Sequence, residues 1–288
     1  MDIAVFSVIF QANLKYLDEF INSLNNQNNQ CFELFLINDG LSPSVLHDAF
    51  KFAKFPVVIY TINDKLTPAQ IREVGFKELT KKEYKKIIFA DTDDLMSPNR
   101  VDKSIEMLDL YPVVFTDITL ISENNIVLES SIWKDRLLNI EVNRNFLYDK
   151  NVLGLGNSAI QGSFLRNIVF PKEIIAVDWY YFTIILGNQN AGFISDAITF
   201  YRQHFNNTIG IKEVTIERLE FIFKVKEKHY AELINIDPQY AKYASEMIHK
   251  KKLLSDGYVT AYEINKNKIN FFWWEETNYI EYERNTIN

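Results

Sequence analysis

The sequence Ile87-Ile88-Phe89-Ala90-Asp91-Thr92-Asp93-Asp94 joins a short apolar run to a cluster of three acids. Its first half is typical of a buried strand, and the acids follow where such a strand ends. Three carboxylates within four residues repel one another unless a cation or hydrogen-bond donors gather around them. Oxygen ligands suit a hard cation such as Mg²⁺ or Mn²⁺, and such a cation binds diphosphates. The alternative is capping of a helix that begins near Ser97-Pro98, which accounts for one acid but not for three.

Upstream of this segment, short apolar runs alternate with stretches of helical spacing. In chain order these segments are Ile3–Phe10, Tyr16–Leu24, Phe32–Ile37, Val57–Ile62 and Ile71–Leu79. Because the strands are apolar on both faces, the alternation predicts an α/β fold in which helices flank a mostly parallel sheet. Ligands bind such sheets at the carboxyl ends of the strands, and Asn38-Asp39-Gly40 lies at one of these ends, as do the acids.

The second half of the chain is less regular. Further strands are predicted at Val113–Phe115, Ile118–Ser122, Ile126–Glu129 and Ile194–Tyr201. The segment Leu153–Gly162 has three glycines and predicts a loop, but Gly154-Leu155-Gly156-Asn157 lacks the lysine and glycine spacing of a phosphate-binding loop. Beyond residue 210, helical patterns cover residues 214–234 and 239–254, before an aromatic run at 271–274. The sequence therefore predicts one α/β domain over residues 1–210 and a helical C-terminal extension over 211–288.

The composition of the chain limits which binding partners and which cellular compartment are expected. The 288 residues carry 38 acidic and 31 basic side chains, a net charge of −7, which argues against nucleic acid as a partner. Cys31 is the only cysteine, so neither an internal disulfide nor a cysteine-based zinc site is expected. The N-terminus has an acid where a secretory signal carries basic residues. We therefore expect a cytoplasmic protein.

The order of motifs along residues 3–210 resembles that of the family 2 glycosyltransferases, which have the Rossmann-like GT-A fold. The similar segments are Val8-Ile9-Phe10, Phe32 to Gly40, Arg72-Glu73-Val74-Gly75, Ile87 to Asp94, Val177-Asp178-Trp179 and Tyr201-Arg202-Gln203-His204. Three features depart from the family pattern. Gln11-Ala12 replaces the usual Pro and Tyr, and Val177 replaces the glutamate of a Glu-Asp pair. The Gln-x-x-Arg-Trp motif is absent, which argues against a processive, membrane-embedded synthase.

The resemblance implies a role for each matching polar residue. Asp39 would accept a hydrogen bond from the ring N–H of uracil or thymine, and its alternative role is turn formation. Arg72 would face the nucleotide or its phosphates, and Asp91 would hold the ribose or assist the metal. Mn²⁺ or Mg²⁺ would bind Asp93, with Asp94 in support, and would neutralise charge on the departing diphosphate. His204 would bind the metal or contact the diphosphate, and its alternative role is that of a satisfied loop histidine.

Asp178 is the general base that the resemblance implies. Members of this kind generally invert the anomeric centre in one displacement, so one carboxylate takes the proton from the acceptor hydroxyl. The alternative role for Asp178 is the N-cap of a helix that begins near Trp179.

We therefore expect a metal-dependent glycosyltransferase that takes a UDP- or dTDP-sugar and a hydroxyl acceptor, either a glycan or a lipid-linked sugar. Asn206-Asn207-Thr208 resembles a pattern of polysaccharide-building members and favours surface glycan assembly. A sugar nucleotidyltransferase is an alternative function. Such an enzyme would carry a basic, glycine-rich loop after the first strand, which this sequence lacks. A non-catalytic carbohydrate-binding protein of the same fold also stays open.

The apolar residues of the C-terminal extension are expected to be buried against another surface. Its apolar helical face and its aromatic run could pack on the catalytic domain, form a homodimer or attach peripherally to the inner face of the membrane. Glu275, Glu276, Glu281 and Glu283 argue against an anionic membrane surface. Packing or dimerisation is therefore favoured.

Overall fold

The computed structural model describes residues 1–137, 139–204, 213–267 and 272–280. Within these residues the strands are β1 Ile3–Phe10, β2 Glu33–Asp39, β3 Val57–Ile62, β4 Lys86–Phe89, β5 Leu95–Met96, β6 Val113–Ile121, β7 Val127–Glu129, β8 Glu141–Asn143, β9 Ser158–Gln161 and β10 Asn190–Arg202. The α-helices are α1 Leu17–Asn25, α2 Pro43–Ala49, α3 Pro68–Thr80, α4 Arg100–Met107, α5 Val177–Leu186, α6 Ile216–Leu233, α7 Tyr240–Ser255 and α8 Ala261–Asn267. Short 3-10 helices include Gln11–Tyr16 and Trp273–Ile280.

The strands form one sheet in the order β3-β2-β1-β4-β9-β6-β10-β5, with β7 paired to β6 and β8 paired to β10. The strands β1 to β4 run parallel, as do β6 and β10. Strand β9 lies antiparallel between β4 and β6 and joins the two parallel parts. The α/β class predicted from the sequence is confirmed, and the carboxyl ends of β1, β2 and β4 lie at one edge.

The apolar runs form strands because both faces of the central strands are buried. Val5 and Ile9 of β1 and Leu34 and Leu36 of β2 are fully buried in one hydrophobic core. Helix α1 covers this core with Leu17, Phe20, Ile21 and Leu24, which share one face at a spacing of three and four residues. Parallel strands of this kind need cover on both faces, and the alternating helices supply it.

Three local predictions were wrong. The segment expected as a loop over Leu153–Gly162 contains strand β9. The two strands expected over residues 113–122 form one continuous strand, β6, which pairs with β10 from Val113 to Ile121. The buried Asp117 carboxylate in its middle accepts hydrogen bonds from the backbone N–H groups of Ile118 and Trp133, at 2.9 and 2.7 Å. The helix expected near Ser97-Pro98 begins at Arg100, after the short strand β5.

The chain divides into two compact units. The first comprises Met1–Arg144, Leu153–Phe170 and Tyr181–His204, and the second comprises Asn145–Val152, Pro171–Tyr180 and Phe205–Asn288. The second unit therefore adds two earlier segments to the C-terminal extension. The domain boundary predicted at residue 210 lies outside the described residues.

The second unit has a helical and aromatic core of its own. The Trp179 ring stacks on the His229 ring with centroids 3.6 Å apart, and its Nε1 donates to the Leu147 carbonyl at 2.7 Å. The Trp273 ring contacts Trp179 edge to face. Trp273 and Trp274 are both buried, so much of the predicted aromatic run belongs to this core, while Phe271 lies outside the described residues. In the described part of the chain, no helix is both long and apolar enough to span a bilayer.

Candidate functional site

The acid segment Asp91–Asp94 lies at the carboxyl edge of the sheet, fastened to β1. The Ala90 N–H donates to the Phe6 carbonyl at 3.0 Å, and Ser7 Oγ donates to the Ala90 carbonyl at 2.7 Å. Thr92 Oγ1 donates to the Val8 carbonyl at 2.9 Å. Because these bonds extend the β1–β4 pairing past the end of β4, the acids are held in place by the backbone of the central strand.

Asp94 is the deepest acid of the segment. Its N–H donates to the Asp91 carbonyl at 3.1 Å, and its Oδ1 accepts from the Arg202 N–H at 2.8 Å. Its Oδ2 is buried and has no hydrogen-bond donor among the described residues. Burial, with added repulsion from Asp93 and Asp91, raises the pKa of Asp94 well above its ordinary value. A cation or a bound donor would relieve both effects.

Arg100 is a buried counter-charge that the sequence interpretation missed. Its Nη2 donates to the Phe89 carbonyl at 2.7 Å, while its Nε and Nη1 have no acceptor among the described residues. Burial lowers the pKa of Arg100 to about 10, against the opposing effect of Asp94 and Asp91. A cation at the first position of a helix is unfavourable toward the helix dipole. That position, two residues after Pro98, was the signal in the sequence.

Asp93 and His204 form a pair. His204 Nε2 lies 2.8 Å from Asp93 Oδ2, and both side chains are largely buried, at 4% and 15% exposure respectively. The His204 ring also packs against the Tyr16 ring, with centroids 5.4 Å apart. The structure thus brings together the acid segment and the segment that ends β10, 111 residues apart in sequence.

The loop at Gly154–Asn157 lies against the acid segment. A β-carbon at Gly156 would lie 2.8 Å from Asp91 Oδ2 and 3.1 Å from Asp94 Oδ2. Asn157 Oδ1 accepts from the Gly154 N–H at 2.8 Å, and the Thr116 N–H donates to the Asn157 carbonyl at 2.9 Å. The loop is therefore held in place, and Gly156 packs so closely against Asp91 and Asp94 that a side chain at this position would displace a carboxylate.

Asp39 ends β2 at the same edge of the sheet. The buried Asn38 fixes the following turn, since its Nδ2 donates to the Leu41 carbonyl at 2.8 Å and its Oδ1 accepts from the Leu41 N–H at 2.9 Å. Gly40 has a φ of +85°, which a residue with a side chain rarely adopts. Asn38 and Gly40 therefore form the turn. Within the described ranges, the Asp39 carboxylate makes no side-chain hydrogen bond or ion pair.

Arg72 lies in the N-terminal part of α3, which follows β3. Its Nη1 donates to the Pro68 carbonyl at 3.3 Å, and no acidic side chain among the described residues pairs with it. A capping box between Thr67 and Gln70 fixes the start of this helix. The guanidinium is therefore partly exposed near a helix N-terminus.

Asp178 belongs to the second unit and lies in the first turn of α5. Its Oδ1 accepts from Asn151 Nδ2 at 3.2 Å and from the Trp179 N–H at 2.9 Å. Because α5 begins at Val177, Asp178 lies inside the helix, and a bond to the N–H of the next residue is not the bond that an N-cap makes to the second or third helical residue, so the predicted N-cap role is wrong. The carboxylate keeps a partly exposed position.

Of the predicted residues, Arg72 lies on α3 and Asp178 lies on α5 in the second unit. Asp91, Asp93, Asp94 and His204 lie together. Asp39 lies two strand spacings away, about 10 Å across the sheet, with β1 between. Because β5 separates the acids from α4, capping of that helix does not account for them.

The side chains of Asp91, Asp93, Asp94 and His204 are the candidate ligands for a divalent cation. Over the ranges that the structure describes, no group of three or more His, Cys, Asp or Glu side chains is arranged to hold a metal ion. The buried Asp94 Oδ2 and the neighbouring Asp91 carboxylate fit a site at which the protein supplies only some of the ligands. Mg²⁺ commonly uses one or two carboxylates, with substrate phosphates and water as the remaining ligands.

Comparison with known proteins finds similarity to glycosyltransferases, both by family and by individual relative. A model of the family described as glycosyl transferase family 2 matches residues 5–168. A Haemophilus influenzae protein described as an uncharacterized glycosyltransferase is 23% identical over 240 residues, covering 77% of this chain and 72% of that protein.

Two solved structures share the fold at low identity. S. aureus TarS in complex with UDP-GlcNAc is 17% identical with a TM-score of 0.62, covering 94% of this chain and 76% of that one. The mannosyltransferase PcManGT from Pyrobaculum calidifontis, in complex with GDP-Man and Mn²⁺, is 12% identical with a TM-score of 0.59, covering 97% and 84%. The GT-A fold implied by the motif order is confirmed.

Proposed function

Because the chain belongs to glycosyl transferase family 2, we propose that this glycosyltransferase moves a sugar from a nucleoside-diphosphate sugar to a hydroxyl acceptor with inversion. The observation that carries the proposal is the acid segment at the carboxyl edge of the sheet, with Asp94 Oδ2 buried and lacking a donor among the described residues. An open α/β sheet binds its ligand at this edge.

The nucleotide is proposed to lie between Asp39 and the acid segment. The Asp39 carboxylate can accept the ring N–H of uracil or thymine, since Asn38 and Gly40 already form the turn. Arg72 is proposed to face the phosphates, for which a guanidinium is suited by its planar set of donors. UDP or dTDP is therefore the proposed nucleotide.

Asp93, Asp94 and His204 are proposed to hold Mn²⁺ or Mg²⁺ together with the donor diphosphate, and His204 Nε2 lies 2.8 Å from Asp93 Oδ2. When bound, the cation would neutralise charge on the departing diphosphate. The chain's own contribution is to keep the carboxylates desolvated and correctly oriented before the donor arrives. Support comes from the raised pKa of Asp94, whose cause is burial and the neighbouring Asp93 and Asp91.

Asp178 is proposed as the general base that takes the proton from the acceptor hydroxyl. Its partly exposed carboxylate is fixed by Asn151, which supports such a role. A base of this kind removes the need for a second carboxylate as nucleophile, and a single displacement inverts the anomeric centre.

The acceptor is proposed to be a glycan or a lipid-linked sugar of a surface polysaccharide. This proposal rests on the sequence pattern at Asn206–Thr208, which lies outside the described residues.

Two experiments test the function. A thermal-shift screen of UDP, dTDP, GDP and CDP, each with and without Mn²⁺, should show stabilisation by a uracil or thymine nucleotide that depends on the cation. Incubation with UDP-sugars and Mn²⁺ should then release UDP, which a carbohydrate-binding protein without catalytic activity would not do. Stabilisation by GDP or CDP alone would contradict the assignment of Asp39.

A further inference from the structure

Arg202, the last residue of β10, has a fully buried guanidinium that reaches three separate parts of the first unit. Its Nη2 donates to Glu19 Oε2 at 2.6 Å, on helix α1. Its Nη1 donates to the Glu123 carbonyl at 3.0 Å and to Asn125 Oδ1 at 2.7 Å, in the turn between β6 and β7. A side chain buried this completely, with several directed bonds, has one orientation.

The same residue fixes both of the successive acids. The Arg202 Nε donates to the Asp93 carbonyl at 2.7 Å, and its backbone N–H donates to Asp94 Oδ1 at 2.8 Å. Because Oδ1 of Asp94 is used in this way, Oδ2 is the oxygen left for a ligand. The backbone of Asp93 is fixed by Arg202, while its carboxylate is paired with His204.

The charge of the guanidinium is balanced locally. Glu19 is its direct carboxylate partner, and the Tyr16 ring covers one face, with the guanidinium carbon 4.6 Å from the ring centroid. Lysine could keep the charge but lacks the planar fork that spans Glu19, Asn125 and Asp93 together. The geometry therefore depends on arginine and on no other cation.

We propose that Arg202 is a positioning residue: it holds Asp93 and Asp94 in the orientation in which they bind the donor, and it thereby sets the affinity of the site. The inference rests on the proposed function of these two acids. Partners that orient the ligands of a site commonly change affinity by about ten- to a hundredfold when removed.

The test compares wild type with Arg202→Lys and Glu19→Gln by hydrogen–deuterium exchange and by calorimetry with UDP and Mn²⁺. In Arg202→Lys, amides within residues 91–97 and 199–204 should exchange at least about tenfold faster, and affinity should fall about ten- to a hundredfold. Glu19→Gln, which keeps both the arginine and an acceptor oxygen, should show the same changes in weaker form. If Arg202→Lys fails to fold, Glu19→Gln takes its place as the test variant.

The matched control is Arg218→Lys. Arg218 donates from Nε and Nη2 to the buried Glu276 carboxylate at 2.7 and 2.8 Å in the second unit. This variant should lose stability but keep wild-type exchange at residues 91–97 and wild-type affinity.

Unchanged exchange at residues 91–97 in folded Arg202→Lys, or in Glu19→Gln if the lysine variant does not fold, would overturn the proposal. An equal loss of affinity in Arg218→Lys would overturn it as well, because the effect would then be general destabilisation. If wild type does not bind UDP with Mn²⁺, the proposed function fails, while the exchange data still decide whether Arg202 positions the acids.

Discussion

The Cα–H face of Gly156 points at the carboxylate of Asp91, so closely that a β-carbon there would lie 2.8 Å from Asp91 Oδ2. The contact is with the end of a side chain, which can move at little cost to the fold. The consequence therefore concerns the position of the carboxylate and not the stability of the chain.

We expect Gly156→Ala to fold normally and to lose affinity for UDP with Mn²⁺. The methyl group should displace the Asp91 carboxylate and press against Asp94 Oδ2, and a shift of about 1 Å in such a site can cost about a hundredfold in affinity. Calorimetry measures the affinity. The control is Gly192→Ala, whose β-carbon would clash with the Tyr111 ring, so that it should lower the melting temperature without a selective loss of affinity. Wild-type affinity in Gly156→Ala would show that the position of the Asp91 carboxylate does not affect binding.

Asp93→Asn should abolish cation-dependent donor binding and leave the fold intact. The amide keeps the shape of the carboxylate and can still face His204, but it removes the negative charge that a cation needs. Circular dichroism checks the fold, and calorimetry with UDP, with and without Mn²⁺, checks the binding. Equal affinities for wild type and variant would remove Asp93 from the site.

Asp94→Asn should increase stability while it weakens donor binding. Since burial, with repulsion from Asp93 and Asp91, raises the pKa of Asp94, the ionised side chain costs free energy at neutral pH, and the neutral amide should raise the free energy of unfolding. The sign follows from linkage: a carboxyl with a raised folded-state pKa loses stability as pH rises above about 4. Denaturant titrations at pH 5 and pH 8 should therefore show the advantage of the variant growing with pH. An advantage that does not grow would contradict the burial of a charge at this position.

The strands were predictable where apolar, β-branched and aromatic residues form an uninterrupted run. Strand β1 has the predicted bounds, and Ala4 to Ile9 are buried. Strand β3 also has the predicted bounds, although it lies at the edge of the sheet and Ile59, Tyr60 and Thr61 are exposed, so its composition and not its burial gave the signal. Strand β9 was missed because only Ala159 and Ile160 are apolar, and its strand conformation depends on pairing with β4 and β6, both distant in sequence. Short strands defined by long-range pairing leave little local pattern.

The sequence predicted which residues form the candidate site, but it did not predict which contacts they make. The acids at the end of β4 and Asp39 at the end of β2 follow from strand order alone. The full set of contacts of Arg202 depends on segments up to 183 residues away, so no local spacing indicates them. The acceptor of Arg100, the Phe89 carbonyl, lies only 11 residues away, but the burial of its guanidinium is a tertiary property. The membership of residues 145–152 and 171–180 in the second unit is likewise a tertiary property.

Asp178→Asn should retain donor binding and lose transfer by about a hundredfold or more, the usual scale for a missing general base. The amide can still accept from Asn151 and from the Trp179 N–H, so the helix start should be unaffected. Separate measurements of UDP affinity and of UDP release distinguish the two effects. Turnover at the wild-type rate would place the base elsewhere, with Asp196 as the next acid to test.

Lys226 should make the stability of the chain depend on pH between 7 and 10.5. Its Nζ is buried, where it donates to the Trp274 carbonyl and to Thr277 Oγ1 at 2.7 and 2.8 Å, and burial lowers its pKa to about 7. In this range the unfolded chain binds the proton more strongly, so stability rises with pH by at most about 1.4 kcal/mol per unit. Relative to Lys226→Met, wild type should therefore gain stability from pH 7 to pH 10 in urea titrations. A constant difference between the two would show that Lys226 titrates normally.

Truncation after Gly210 should cause aggregation. Trp179 is nearly fully buried against His229 and Trp273, and the truncated chain would lack both partners. Light scattering of the purified fragment measures the outcome, with Trp179→Ala in the full chain as a smaller perturbation of the same contact. A soluble, monodisperse fragment would show that residues 1–210 fold independently.

The pairing of Glu19 with Arg202 has a consequence for synthesis. The ribosome releases the chain from its N-terminus, so Glu19 and the acid segment emerge long before Arg202 does. During that interval Asp93 lacks the Arg202 guanidinium and Asp94 lacks the Arg202 backbone N–H, and forming a contact across 183 residues is slow. The arrangement of the acid segment is therefore completed only once β10 has been translated and inserted into the sheet, and under the proposed function a nascent chain would not bind the donor before that point.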